Sequence, residues 1–402
     1  MWTGFVRTLF TFPGYVVDKV KASAEVAQVW LRRDGRMKPR CPQCGACLRV
    51  NRTRWQTAKD LPLGPVGCVL LAYEAVQGYC AACRGYATVH PPGIDGHAQA
   101  TQRLMAYVSQ LCRYLPLTHV QQIVPVSAAT AYRWDKAWLQ AYVPAPDPTG
   151  LRILLIDEKA VRTGYGYVTL VMNGETGELL YWAEGKKKES LSPFFARLTP
   201  EQQAGIEAVA IDRNGAYYAV VKEFLPHAAV VYDKFHLIQN YHKVIDRVRN
   251  EEYREARAED KEVIKGQRFN LYRNPANLSD AQARRLGTLL AINRNLQTVY
   301  VLKDALKRLW GFRYRAWALK YLEKWVGWAT ESGLPALVKF AQALWRDREE
   351  VTAYCRHPIT TARLEAFNNT VSRFVHRACG HTDLDYLFLK VRQESLPETL
   401  QT

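Results

Sequence analysis

The sequence predicts an α/β chain: a mixed five-stranded sheet whose strands end in carboxylates, split by an all-α insertion and preceded by two small modules. Three observations predict it. The stretch "LRILLIDEKAV" runs apolar residues straight into Asp157 and Glu158, and "IEAVAIDRN" and "HAAVVYDKFH" repeat the pattern at Asp212 and Asp233. Two C-x-x-C pairs, Cys41/Cys44 and Cys80/Cys83, lie in a glycine- and proline-rich N-terminal segment. Beyond residue 237 the pattern turns almost wholly helical, with many charges and tryptophans.

A chain of 402 residues has room for two to four domains. No apolar run approaches the roughly 18 to 20 residues that span a bilayer. The start "MWTGFVRTLFTFPGYVVDKV" lacks the apolar core and small-residue cleavage site of a signal peptide. A cytoplasmic protein without membrane contact is expected. The net charge of +17 favours a polyanionic partner, most simply nucleic acid.

The expected order is a cysteine-rich module over 1–100, a helical pair over 101–143 and a Pro-rich linker over 144–150. A sheet-forming part over 151–245 follows, then a helical insertion over 246–355 and a return to the sheet domain over 356–402. In the first module, Cys41, Cys44, Cys80 and Cys83 sit on two knuckle turns. Two thiolate pairs complete a closed tetrahedral Zn2+ site of the zinc-ribbon type, and the ion supplies folding energy to a segment with little core. Cys47 is a competing ligand and Cys68 lies in the loop between the pairs. Cys112, Cys355 and Cys379 read as ordinary buried or half-buried thiols.

The second module reads as a helix-turn-helix. "THVQQIV" places Val120, Ile123 and Val124 on one face, Pro125 breaks it, and Ser127 is a good N-cap for "AATAYRWDKAWLQ". The second helix would enter a major groove, with Thr130, Arg133 and Lys136 as contacts and Trp134 and Trp138 in the core.

Runs such as "ILLI" read as strands buried on both faces, and ligands of open α/β sheets bind beyond the carboxyl ends of parallel strands. Asp157 and Asp212 would converge there. Two close carboxylates repel, and a hard divalent cation removes the conflict. Two Mg2+ ions (or Mn2+) can clamp the attacking and leaving oxygens of a phosphoryl displacement. Glu158, next to Asp157, points to the opposite face, where a salt bridge or hydrogen bond is expected.

"YGYVTLVMN", a turn at "NGETG" and "ELLYWAEG" form a hairpin. "SLSPFFARL" is a helix, "IEAVAID" the fourth strand, "GAYYAVVKEFL" a helix and "AAVVYD" the fifth strand. This β-β-β-α-β-α-β order is that of the RNase H fold. "TTARLEAFNNTVSRFVHR" offers Glu365 on a later helix. The span between Asp212 and Glu365 is too long for an unstructured loop. In it, Trp310, Trp317, Trp325 and Trp328 fall near helical spacing and read as core. Stacking on an extruded base is the alternative, and "KRLWGFRYR" keeps DNA contact open.

With "CPQCG" and the later C-x-x-C, the helical pair, "IDEKAVRTGYGYVTLV", "AIDRNGAYYAVVKEFLPHAAVVYDKFHLIQN" and "LEAFNNTVSRFVHRACG" in that order, the chain resembles bacterial insertion-sequence transposases of the ISL3 family over nearly its full length. The resemblance implies a DDE triad of Asp157, Asp212 and Glu365, with Asp233 and His236 of "DKFH" supporting it. Read from the residues alone, Asp233 is an alternative metal ligand and His236 a structural histidine. Arg213, directly after Asp212, would contact phosphate or weaken metal binding. The implied activity is Mg2+-dependent strand cleavage and strand transfer at terminal inverted repeats, which the zinc and helix-turn-helix modules would recognise. Arg373, Arg377 and Lys234 would position phosphates of double-stranded DNA, in a dimer or larger assembly near the nucleoid. The rival readings are a catalytically inactive DNA-binding regulator and a related nuclease.

Overall fold

The computed structural model describes residues 9–23, 25–63, 66–162, 166–359, 362–377 and 383–396. The described chain separates into two compact units. One comprises the residues up to Ala145 with Arg373–Glu394, and the other is built on Pro146–Ser372. The cut near Ala145 falls in the irregular proline-rich stretch, where alternating prolines keep the backbone out of helix and sheet.

In the first unit, strands β1 (Tyr15–Ala22), β2 (Val26–Arg33), β3 (Arg49–Asp60), β4 (Cys68–Cys80), β5 (Gly85–Val89), β6 (Ile94–Asp95) and β7 (Ala100–Thr101) form one sheet. Its order is β1-β2-β4-β3-β7-β6, with β5 also on β4. The β2–β4 pair is parallel and the β3–β4 pair antiparallel. Val29, Leu31, Val69, Leu71 and Tyr73 bury one continuous apolar patch. The long spacing between the two cysteine pairs has a simple cause: it holds two long strands of 12 and 13 residues.

Three helices follow, α1 (Gln102–Tyr114), α2 (Leu117–Ile123) and α3 (Ala128–Tyr142). The Ser127 hydroxyl caps α3 by accepting from the Thr130 N–H at 3.2 Å. Val120, Val124 and Trp134 are buried as their spacing predicts, and Trp138 packs at the margin of the same cluster. Ile123 instead faces solvent, because the helix closes at that residue and the chain turns away.

A last helix, Leu384–Ser395, packs through Glu394 on the same three helices. Asp135, fully buried on α3, accepts from Ser109 at 2.6 Å, Tyr386 at 2.5 Å and Lys390 at 2.7 Å. Arg113 pairs with Glu394 at 2.6 Å. The sequence reading had grouped this helix with the returning sheet domain. The buried Asp135–Lys390 pair puts it with the first unit, because neither charge would be stable there without the other. Cys112 is buried here and Cys355 is half-buried in the second unit, while Cys379 lies outside the described residues.

The second unit carries a five-stranded sheet of β8 (Ile153–Arg162), β9 (Gly166–Asn173), β10 (Leu179–Glu184), β11 (Ala208–Ile211) and β12 (Ala229–Tyr232), in the order β10-β9-β8-β11-β12. The first three strands are antiparallel, and β8, β11 and β12 run parallel. Every residue of β11 is buried, which accounts for its unbroken apolar run. Helices α4 (Lys188–Ala196), α5 (Pro200–Gly205) and α6 (Gly215–Phe224) supply the crossovers. A 22-residue helix, α7 (Lys234–Glu255), leaves the fifth strand and opens an all-helical region. There α11 (Arg294–Lys307), α12 (Arg315–Glu331) and α13 (Pro335–Arg346) share one apolar cluster with the sheet. The helix Ala362–Arg377 then returns to the strand ends.

Of Trp310, Trp317, Trp325 and Trp328 in the insertion, Trp325 is fully buried and donates its indole N–H to the Leu302 carbonyl at 2.9 Å. Trp310 is half-buried. Trp317 and Trp328 are 61% and 45% exposed, so helical spacing alone did not separate core from surface.

Candidate functional site

The carboxylates take their places from strand register. Ile156 of β8 pairs with Ile211 of β11, so Asp157 and Asp212 follow side by side where β11 ends; β8 does not end in its carboxylates as the sequence suggests, but runs on to Arg162 along β9. Asp157 is buried, 7% exposed. Its Oδ1 accepts from the Glu158 N–H at 2.8 Å, and its Oδ2 from the Asn368 amide at 2.7 Å. Burial pushes the Asp157 carboxyl above its ordinary range, against these hydrogen bonds and a nearby His236, and the Asp212 charge adds to the rise. Asp212 accepts from the Arg213 N–H at 2.6 Å.

Glu365 is exposed on the first turn of the helix Ala362–Arg377. Asn368, one turn later on the same face, makes the contact to Asp157. The sequence reading did not single out Asn368, although its i, i+3 spacing from Glu365 in "LEAFNN" was the available signal. The Asn368 Oδ1 is buried and has no hydrogen-bond partner among the described residues. An orphaned amide oxygen beside a desolvated carboxylate is a donor set that suits a hard cation such as Mg2+. Among the described residues, however, Asp157, Asp212 and Glu365 do not form a group with all ligand atoms within 4.8 Å, whereas the four cysteines do.

Asp233 is the N-cap of α7. Its Oδ1 accepts from the Phe235 N–H at 3.0 Å, and its Oδ2 lies 2.8 Å from the His236 Nδ1. That hydrogen bond raises the imidazole to about 9, with Asp212 and Asp157 adding to the effect. The Asp-x-x-His spacing is therefore that of a helix cap carrying a cation toward the strand ends. Arg213 pairs with Asp347 and also donates to the Ala343 carbonyl at 3.3 Å, which engages it with the end of α13. Glu158 forms the salt bridge expected of it, with Lys186 at 3.7 Å. Lys234 donates to the Tyr354 hydroxyl at 3.3 Å and lies over that ring.

The cysteine cluster in the first unit is already closed. The Sγ atoms of Cys41 and Cys83 are 3.9 Å apart and those of Cys44 and Cys80 3.5 Å. Zn–S bonds of about 2.3 Å in a tetrahedron demand sulfur separations of roughly 3.8 Å, so the four residues fit Zn2+. Backbone N–H groups of Cys44 and Gln43 hold the Cys41 thiol down at about 7, while crowding by Cys44 and Cys80 pushes Cys83 up to about 12. A cation at the centre resolves that conflict. Cys47, exposed, and Cys68 stand outside the cluster.

The residues expected to touch DNA divide into two groups. Arg133 is exposed on the first turns of α3, with Thr130 beside it, and Arg373 is exposed as well. Lys136 instead pairs with Asp383 at 2.5 Å, and Arg377 donates to the Arg113 and Cys112 carbonyls at 2.7 and 3.3 Å. Both cations are thus engaged within the first unit, and the sequence offered no sign of their partners. No helix of the described residues is long and apolar enough to cross a membrane.

The chain is 35% identical to the transposase for insertion sequence element IS1001 of Bordetella parapertussis, over 96% of this chain and 97% of that protein. It is 24% identical to the transposase for insertion sequence element IS1557 of Mycobacterium tuberculosis, over 91% of this chain and 89% of that one. A transposase family, ISL3, matches residues 154–391, more than half of the chain and the part that holds Asp157, Asp212, Asp233 and Glu365. The chain belongs to the ISL3 family of insertion-sequence transposases.

Proposed function

We propose that this transposase has an RNase H-like catalytic domain, binds the terminal inverted repeats of its element through the zinc-ribbon-like module and a helix-turn-helix formed by α2 and α3, and uses Asp157, Asp212 and Glu365 as its catalytic carboxylates. The observation that carries the proposal is the register of β8 and β11, which sets Asp157 beside Asp212 while Asn368 draws the Glu365 helix to the same strand ends. The strand order β10-β9-β8-β11-β12 supports the fold assignment.

Asp157, Asp212 and Glu365 would hold divalent ions, and Mg2+ or Mn2+ bound there supplies Lewis acidity and charge neutralisation for phosphoryl transfer. Asn368 holds the Asp157 carboxylate in orientation. Asp233 fixes His236 so that its imidazolium faces the acidic strand ends. In the cleavage step a water oxygen bonds to phosphorus and the P–O3′ bond breaks; one water proton ends on the departing 3′-oxygen, directly or through solvent, giving the element's 3′-hydroxyl, and the other is lost to solvent from the new 5′-phosphate. In the joining step that hydroxyl attacks a target phosphorus and displaces the target's own 3′-oxygen. Two ends must be joined, so an assembly of at least two copies on DNA in the cytoplasm is part of the proposal. Residues over 1–100, 101–143, 151–245 with the Glu365-bearing part of the later helix, and 246–355 would act as zinc, DNA-reading, catalytic and insertion parts.

The test is strand cleavage and joining with purified protein, Mg2+ or Mn2+, and labelled DNA carrying the element ends, with Glu365→Gln as control. Products lost in the control support the proposal. End binding without products under either metal would turn it toward a DNA-binding regulator, and cleavage without joining toward a nuclease.

A further inference from the structure

Strand β3 is longer than its core requires. It spans 12 residues, yet Ala58 is its one contribution to the apolar core of the sheet. Asp60 is buried too, but as a polar anchor held by Thr101 at 2.6 Å and by Arg103. All seven residues of "RVNRTRW", Arg49–Trp55, are exposed, on both faces of the strand. Trp55 itself is 52% exposed. Burial of its own side chains cannot account for this extension.

The outer half of β3 pairs with β4 alone, since β7 joins only at Lys59. Its other edge therefore presents backbone N–H and C=O groups to solvent, and an open edge invites a partner. The edge carries Arg49, Arg52 and Arg54. Arg52 is held to Gln77 at 2.6 Å, and among the described residues none of the three forms an ion pair. Two further exposed cations stand on the cysteine knuckles at the start of the strand. Arg40 donates to the Gly45 carbonyl at 3.1 Å. Arg84 holds φ at 52°, a conformation that favours glycine or asparagine, so a bulky cation is kept there at a conformational cost.

Pairing with a second copy through this edge would set arginine against arginine, which opposes it. A polyanion has the complementary charge. Arginine forks match the phosphate oxygens of a duplex and the guanine edges of its major groove. We propose that the Arg49–Trp55 edge, with Arg40 and Arg84, is a second surface for double-stranded DNA, separate from α3, anchored by the four-cysteine cluster at its end. This rests on the reading that the protein binds its element's ends, and it names the residues by which the cysteine-rich module does so.

The test uses the full-length, zinc-loaded protein without Mg2+ and a labelled duplex carrying one element end, titrated by fluorescence anisotropy at several salt concentrations. The variant is Arg49→Gln/Arg52→Gln/Arg54→Gln, with Trp55→Ala added in a second protein. Zinc content and melting temperature are measured for both, and they are expected to match wild type because the side chains are exposed. The expected result is a salt-dependence slope lowered by roughly two to three and an affinity lower by about 10- to 1,000-fold at moderate salt. A footprint that retracts at one side of the site in the variant supports the same conclusion. Unchanged affinity and slope, with wild type binding normally, would overturn this inference and leave the proposed function standing. A change in oligomeric state with unchanged DNA affinity would overturn it in favour of an interface between copies. If wild type itself binds no end duplex, both readings fall together.

Discussion

The two candidate metal sites of this protein are built in opposite ways. The four cysteines come from two short turns, and their sulfurs already stand at zinc-binding distances. The carboxylates come from two strands and a distant helix, and among the described residues the three do not all gather within 4.8 Å. A closed structural site can be completed by local geometry. The proposed catalytic site would have to admit water, a hydroxyl and a phosphodiester and so stay open, leaving the repulsion between its carboxylates for cation and substrate to relieve. The largest expected contrast follows directly. Cys44→Ser, or removal of zinc by a chelator, should destabilise the sheet of the first unit by several kcal/mol, read as lost zinc content, lost cooperative melting and rapid proteolysis. Asp157→Asn should do the reverse. It removes a desolvated charge beside Asp212, and the new amide can be met by Asn368 turning its orphaned Oδ1 toward it. Stability should hold or rise by about 1 kcal/mol, while strand cleavage falls by about a thousandfold or more. If Asp157→Asn melts like the cysteine variant, the carboxylate is structural and the contrast fails.

Smaller effects sharpen the same comparison. Asn368→Leu keeps the bulk but removes the amide that orients Asp157. Divalent-ion affinity, followed by Mn2+ titration without DNA, should weaken about 10- to 100-fold, with melting little changed. Arg213→Ala should act through stability, costing roughly 2 kcal/mol by leaving Asp347 in a partly buried setting without its principal partner. A variant that instead melts normally and loses only DNA affinity would return Arg213 to the phosphate-contact role suggested by its position after Asp212.

What was legible in the sequence follows from how far apart the determinants lie. The five-stranded sheet could be read because "ILLI", "AVAI" and "AVVY" are buried on both faces and stay apolar throughout. The cysteine pairs and the Ser127 cap are local, so spacing alone exposes them. The ion pairs Lys136–Asp383, Asp135–Lys390 and Arg213–Asp347 each join residues more than 100 positions apart, and neither partner carries a mark of the other. Tryptophan spacing on α12 is helical for core and surface residues alike, so Trp325 and Trp328 cannot be told apart without their neighbours. The outer half of β3 has the exposed, arginine-rich composition of a loop. Ladder pairing with β4, not burial, makes it a strand.

The last test uses the imidazolium that links the two kinds of charge at the strand ends. His236 is raised to about 9 by its hydrogen bond to Asp233, with Asp212 and Asp157 contributing. Because its folded value lies above the roughly 6.5 of an unfolded chain, the stabilisation is fully present below about pH 6.5 and is lost as pH rises through about 9. Melting temperature should therefore fall between pH 7 and 10 in wild type and much less in His236→Gln, so that the two proteins converge at high pH. Mg2+ should shift the midpoint. A cation shared by Asp157 and Asp212 neutralises the charges that help hold the proton, so the His236 midpoint, followed by the imidazole proton resonances, should move down toward neutrality. A midpoint that ignores Mg2+ would mean that the ion binds away from these carboxylates, and the contrast between a closed sulfur site and an open oxygen site would lose its second member.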